Sequence, residues 1–271
     1  MSEIVLHHQP GFASVLGEQV RAVGLGLRRE AAYLAALLLA LALFIAFNAV
    51  RARASGSTIA AGFAPQSALP MVALALVLPL AVWKGEEPGR RGYFWSLPVA
   101  RGPHTLARVA AGWIWLNVAV LGFWAWGLVL ALVTSGPLGV QHDGRPFAAW
   151  LWVMPFTGAT VTYLLGTAVV LVSDHPWRWL AGIAIAWLVV NAASNGPGLE
   201  GLHHTVQGLW SGRHGLSVAM TGLSTWQSVA GRGALHTGWS YDAWLAATVL
   251  WMALGLVGTV AAAFAHQERM R

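Results

Sequence analysis

Apolar residues fall in six long blocks, Ala31–Val50, Ala68–Trp83, Val109–Val133, Ala148–Val172, Trp177–Ala193 and Ala243–Ala265, separated by polar or charged links. At about 1.5 Å of rise per helical residue, each block is close to or above the length that crosses a hydrocarbon core of about 30 Å. The first is the cleanest: Arg28 and Arg29 precede it, Arg51 and Arg53 follow it, and no charge lies between. The pattern predicts an all-α, polytopic membrane protein with six transmembrane helices, in which residues 1–271 form a single transmembrane domain.

Ahead of the first block the periodicity changes. Phe12, Val15, Leu16, Val20, Val23 and Leu27 share one side of a helical wheel, with Glu18, Arg21, Arg28 and Arg29 on the other and only Leu25 out of place. This predicts an N-terminal amphipathic interfacial helix over residues 11–30, lying apolar side down on the headgroup layer, the alternative being a soluble helix packed on a partner. Two links are long enough to carry function: 84–108 and 195–242. The second holds Leu199, Leu202, Leu209, Trp210, Leu216, Leu223, Trp226 and Val229, more apolar surface than a disordered loop carries. It predicts short re-entrant helices at the outer membrane surface, turned by Gly196-Pro197-Gly198 and Gly231-Arg232-Gly233. No internal repeat is evident, which gives no support to inverted-repeat transporter folds.

Composition agrees with a lipid environment: 57% of residues are hydrophobic and only 10% charged, against about a quarter charged in globular domains. Several of the sixteen Trp residues stand at block ends, where an amphipathic ring suits the headgroup region. The net charge of +6 is dispersed around the blocks and forms no compact basic stripe, so no nucleic-acid partner is expected. Six crossings put both termini on one side, and eleven of the sixteen Lys and Arg fall on that side, five of them in 84–108. The positive-inside rule then makes the termini and the 84–108 link cytoplasmic. There is no Cys, hence no disulfide or thiolate metal site. Ala52-Arg53-Ala54 resembles a cleavage site, but the apolar run before it is too long for a secretion signal and is read as retained.

Motifs for chemistry are scarce. The single Lys, Lys84, follows Trp83 rather than a glycine loop, so the chain has no phosphate-binding loop of its own, and neither a G-x-S-x-G elbow nor an H-E-x-x-H helix occurs. The chain is not read as an enzyme, and no catalytic residue, cofactor or metal is assigned to it. Glu86 and Glu87, with Arg91, fit E-E-x-x-x-R, which resembles the first motif of CAAX-type intramembrane proteases; that family's later His motifs are missing, and the match is read as chance. His142, His203, His204, His214 and His236 gather in the outer links without the i, i+4 spacing of a helical metal site, and are read as loop or interfacial residues. Within the blocks, Asn117, Thr160, Tyr163 and Asn191 are candidates to line a pathway, against the ordinary reading of polar residues that bond between helices.

The most informative segment runs from Lys84 to Arg108. Acidic Glu86 and Glu87, basic Arg90 and Arg91, and the cluster Tyr93-Phe94-Trp95 lead into Ser96-Leu97-Pro98-Val99-Ala100-Arg101, after which Pro103 suits the first turn of a new helix. Aromatic side chains can anchor in a partner's pocket while the charges set register. Together with the six-block order, this stretch resembles the permease subunits of type 2 ATP-binding-cassette (ABC-2) exporters, which carry an acidic lead and an S-L-P-V-S-R-like stretch between their second and third spans. The resemblance implies that the link docks on a separate ABC ATPase subunit, which binds ATP and magnesium, through Glu86, Glu87, Arg90, Arg91, Phe94, Leu97, Pro98 and Arg101. It also implies a second permease chain, identical or related, with a translocation path between them. The alternatives from other classes are an accessory membrane subunit that scaffolds a complex, and a hydrolase using Glu86 and Glu87.

Overall fold

The computed structural model describes residues 11–55, 63, 69–84, 101–135, 141–142, 145–194, 200–227 and 235–268. Eight helices account for most of them: α1 (Phe12–Ala54), α2 (Leu69–Val82), α3 (Arg101–Ser135), α4 (Ala149–Val172), α5 (Pro176–Ser194), α6 (Glu200–Ser211), α7 (Leu216–Thr221) and α8 (Tyr241–Glu268). Two small antiparallel ladders complete the set, β1 (Gln141–His142) with β2 (Arg145–Pro146), and β3 (Leu223–Gln227) with β4 (Leu235–Trp239). The protein is therefore mainly helical, in keeping with the expected all-α membrane class, with two small hairpins that the sequence reading did not include.

Among the described residues, four helices are long and apolar enough to cross a membrane: Phe12–Ala52 of α1, Gly102–Ser135 of α3, Ala149–Val172 of α4 and Tyr241–Ala265 of α8. Their outward faces carry large apolar side chains, with Leu37 and Phe44 of α1 each 65% exposed and Val257 of α8 68% exposed. A surface of that kind is stable only against lipid, and the chain is a membrane protein. The other two expected spans fall short of the four. The 14 described residues of α2 rise about 21 Å, less than the ~30 Å core, and α5 spreads Trp177, Arg178, Trp179 and Trp187 over its 19 residues.

α1 departs from the expected pair of elements. One helix of 43 residues runs from Phe12 to Ala54, through Arg28-Arg29-Glu30, because no proline or turn sequence interrupts it there. Its amphipathic stripe also has a different destination. Leu16, Val20, Val23 and Leu27 pack into the core cluster with Val82 of α2 and Val109, Ala111, Trp115 and Leu116 of α3, in place of a headgroup layer. Leu25, the residue that broke the stripe, is 66% exposed. Gly24 admits the Trp115 indole so closely that a Cβ would collide with it, and the indole Nε1 donates to the Val20 carbonyl at 2.9 Å.

α4 is the centre of the bundle, packed along α8 on one side and α2 on the other, with Met154, Ala159, Val161 and Tyr163 fully buried. Small residues permit that closeness. A Cβ on Gly166 of α4 would lie 2.9 Å from the Leu76 carbonyl oxygen of α2, and one on Gly255 of α8 would lie 2.9 Å from the Leu164 Cβ of α4. In a bilayer, close van der Waals packing of this sort takes the place of the hydrophobic effect. Thr259 of α8 adds a buried hydrogen bond, its hydroxyl donating to the Leu164 carbonyl at 3.0 Å. Tyr163 reaches across to α3, where its hydroxyl donates to the Val109 carbonyl at 2.8 Å over the space left by Gly112. Tyr163→Phe is expected to lower the unfolding free energy by about 1 kcal/mol, read as a lower thermal midpoint in detergent.

The segment between α5 and α8 does contain short helices, α6 and α7, as its apolar content indicated. α7 buries Val218 and Ala219 between α4 and α8, and ends at Gly222, whose φ of 66° reverses the chain into β3. Trp251 of α8 donates to the His214 carbonyl at 2.9 Å, and Trp187 of α5 stacks on Trp210 of α6 with centroids 4.7 Å apart. The glycine joints 196–198 and 231–233 lie outside the described residues.

Candidate functional site

Two places collect the residues on which function can turn. The first is the pair of helix ends from which the α2–α3 link departs. α2 stops at Val82, and its last carbonyls have no partner within the helix. Arg108, two turns into α3, supplies one: both Nε and Nη2 donate to the Val82 carbonyl oxygen, at 3.0 and 2.7 Å. The guanidinium also lies over the Trp83 ring, 5.3 Å from its centroid. A cation at a helix C-terminus meets the negative end of the helix dipole, and a half-buried, ring-stacked arginine holds a fixed geometry. The fork therefore clamps the end of α2 to the start of α3.

α1 closes against the same end. Gln19 Nε2 lies 3.0 Å from His104 Nε2 of α3, and Lys84 Nζ lies 3.8 Å from Glu30 Oε1. The latter pair is exposed, so its energetic weight is small. α3 itself begins at Arg101, eight residues before the predicted span, with Pro103 in its first turn as the sequence indicated. Arg101 is thus the first helical residue after the link. The other coupling candidates, Glu86, Glu87, Arg90, Arg91, Phe94, Leu97 and Pro98, lie outside the described residues.

The second place is a groove of about 520 Å³ between α3, α4 and α8. Asn117 and Trp113 of α3, Phe156 and Thr160 of α4, and Met252 and Leu256 of α8 are among its walls. Two of the four pathway candidates, Asn117 and Thr160, meet here although 43 residues separate them in the chain. Trp113 Nε1 donates to Thr160 Oγ1 at 3.0 Å, and Asn117 Nδ2 donates to the Trp113 carbonyl at 2.8 Å. The structure does not bring the other two to this groove. Tyr163 is wholly buried against α3, and Asn191 stands on α5.

In the sequence Arg108 stands only as the end of the charged link, and Trp113 only as one of the Trp residues at block ends. An arginine inside the first turns of an apolar helix, directly after a charged link, is the signal that could have pointed to Arg108. Among the described residues no group of three or more His, Asp or Glu is placed to hold a metal ion. Comparison with family models, with curated proteins and with solved structures finds no match to this chain.

Proposed function

We propose that the chain is the membrane subunit of an ABC-2 exporter, which forms the translocation path and couples to a separate ATPase subunit. In this reading α1, α2, α3, α4, α5 and α8 supply six crossings of a bacterial inner membrane, with both termini and the 84–101 link in the cytoplasm. A second permease chain, identical or related, completes the path. The observation that carries the proposal is the Arg108 clamp. Any force applied to the link enters α2 and α3 together, because the two helix ends that bracket it are fastened to each other.

The link's acidic lead, aromatic cluster and Ser96-Leu97-Pro98-Val99-Ala100-Arg101 stretch are the groups expected to fill a cleft on the ATPase. ATP-driven closure of two ATPase subunits would then rock the helices joined to the link and expose the path alternately to the two sides. ATP and magnesium belong to the partner.

Affinity purification in mild detergent tests the proposal. A subunit with ATPase activity is expected to accompany the wild-type chain, and Glu86→Ala/Glu87→Ala/Arg101→Ala is expected to reduce its recovery at least tenfold, a loss of about 1.4 kcal/mol or more. Recovery of the chain alone, or of the ATPase in unchanged amount with the triple variant, contradicts it.

A further inference from the structure

The groove between α3, α4 and α8 has features that its place on a membrane surface makes unusual. Trp113 is 42% exposed and Leu256 51% exposed, so the groove opens on the outer surface of the bundle. Yet Asn117, Thr157 and Thr160 lie within it. Thr157 turns its hydroxyl onto the Met154 carbonyl of its own helix at 3.0 Å. Thr160 does not: its oxygen accepts from Trp113, and its hydroxyl hydrogen is uncommitted among the described residues. Asn117 uses one amide hydrogen on the Trp113 carbonyl, leaving its second hydrogen and Oδ1 free among the described residues. Uncommitted donors and an acceptor facing hydrocarbon are costly unless something supplies partners.

We infer that this groove binds an uncharged amphiphile, an apolar chain bearing one hydroxyl or carbonyl group that bonds to Asn117 and Thr160. No described lining residue is charged, so a carboxylate, phosphate or ammonium seated there would be left without a counter-charge. Depth gives the same answer. With the 84–108 link at the cytoplasmic boundary, as in the proposed topology, Asn117 lies nine residues beyond Arg108 along α3, about 13 Å at helical rise, which places the bonded group below the level of phospholipid charges. The volume lies within the ~300–1,000 Å³ usual for small-molecule sites, and the walls are apolar with few polar groups. A second protein chain fits less well. Helix pairs in membranes approach through small residues, whereas bulky Trp113, Phe156, Met252 and Leu256 make up much of this lining.

Photolabelling with a diazirine derivative of hexadecanol, on the full chain in lipid nanodiscs, tests the inference. Labelled peptides are expected to map to α3 around Trp113–Asn117 and to α4 around Phe156–Leu164. Hexadecanol is expected to compete, with hexadecane and ionised palmitate at least tenfold weaker. Asn117→Leu/Thr160→Val, which keeps bulk but removes both polar partners, is expected to cut labelling about thirtyfold, the sum of two ordinary hydrogen bonds; Thr160→Ser should retain it. Equal competition by hexadecane, or label spread evenly over the lipid-facing helices, would overturn the proposal. So would efficient disulfide cross-linking of two copies through Leu256→Cys, which would show that another chain fills the groove. None of these readouts involves an ATPase, so the inference can fail or hold independently of the exporter reading.

Discussion

Arg108→Ala is expected to separate ATP hydrolysis from transport while leaving the ATPase subunit bound. The substitution removes both donors from the Val82 carbonyl and the cation from the Trp83 ring, so the end of α2 loses its polar tie to α3 and keeps only apolar packing. Loss of a charge-assisted, half-buried bond costs about 1.5–3 kcal/mol, enough for a lower thermal midpoint in a membrane domain that still folds. The larger effect falls on coupling. Residues 86–101 are unchanged, so co-purification of the ATPase should persist, whereas ATP-dependent transport should drop at least tenfold because movement of the link no longer enters both helices. Arg108→Lys keeps the charge but loses the fork and the planar stacking, and is expected to fall between the two. Glu30→Gln, which breaks only the exposed contact with Lys84, is expected to behave as wild type. A coupling loss as large in Glu30→Gln as in Arg108→Ala would locate the effect in general charge rather than in the clamp.

Gly166→Ala and Gly255→Ala are expected to destabilise the packing of α4 on α2 and α8. Each new Cβ meets an atom at 2.9 Å, and at Gly166 that atom is the backbone oxygen of Leu76, which cannot rotate aside. Overpacking of this kind costs about 1–3 kcal/mol, set against about 1 kcal/mol of helix propensity gained. The Leu76 contact should place Gly166→Ala toward the upper end of that range. Gly182→Ala is the matched control. Although Gly182 and Ala186 form a small-xxx-small pair in the sequence, a Cβ on Gly182 meets nothing within 4 Å, so its thermal midpoint should stay level or rise. Unfolding of the three variants in one detergent gives the comparison directly, and equal midpoints would mean that α4 does not pack on α2 and α8 as described.

Those glycines illustrate where sequence reasoning reached and where it stopped. Apolar block length located the helices well: the ends of α4 fall at Ala149 and Val172, against Ala148 and Val172 expected. Block length is a local property, and so it was readable. Which small residues meet another helix is a tertiary property, and Gly182 carried the same local signature as Gly166 and Gly255. α1 shows the same division. The stripe Leu16, Val20, Val23 and Leu27 was evident from its period, but a stripe states only that one side is apolar, and α3 rather than lipid covers it. β3 and β4 left no trace because five-residue strands such as Leu223-Ser-Thr-Trp-Gln227 offer too few alternations to rise above their surroundings. At the site, polarity inside apolar blocks singled out Asn117 and Thr160, which the fold brings to one groove. The same criterion could not distinguish them from Tyr163, whose longer side chain reaches the α3 backbone.

The absence of cysteine from the chain makes one measurement especially clean. A single Ser96→Cys substitution places the only thiol in the middle of the link, where a membrane-impermeant maleimide reports its side and its cover. The exporter account predicts no labelling in intact cells, full labelling in inverted membrane vesicles stripped of peripheral subunits, and loss of that labelling when the ATPase subunit is added back. Labelling from the outside of intact cells, or labelling in vesicles that the ATPase leaves unchanged, would contradict it.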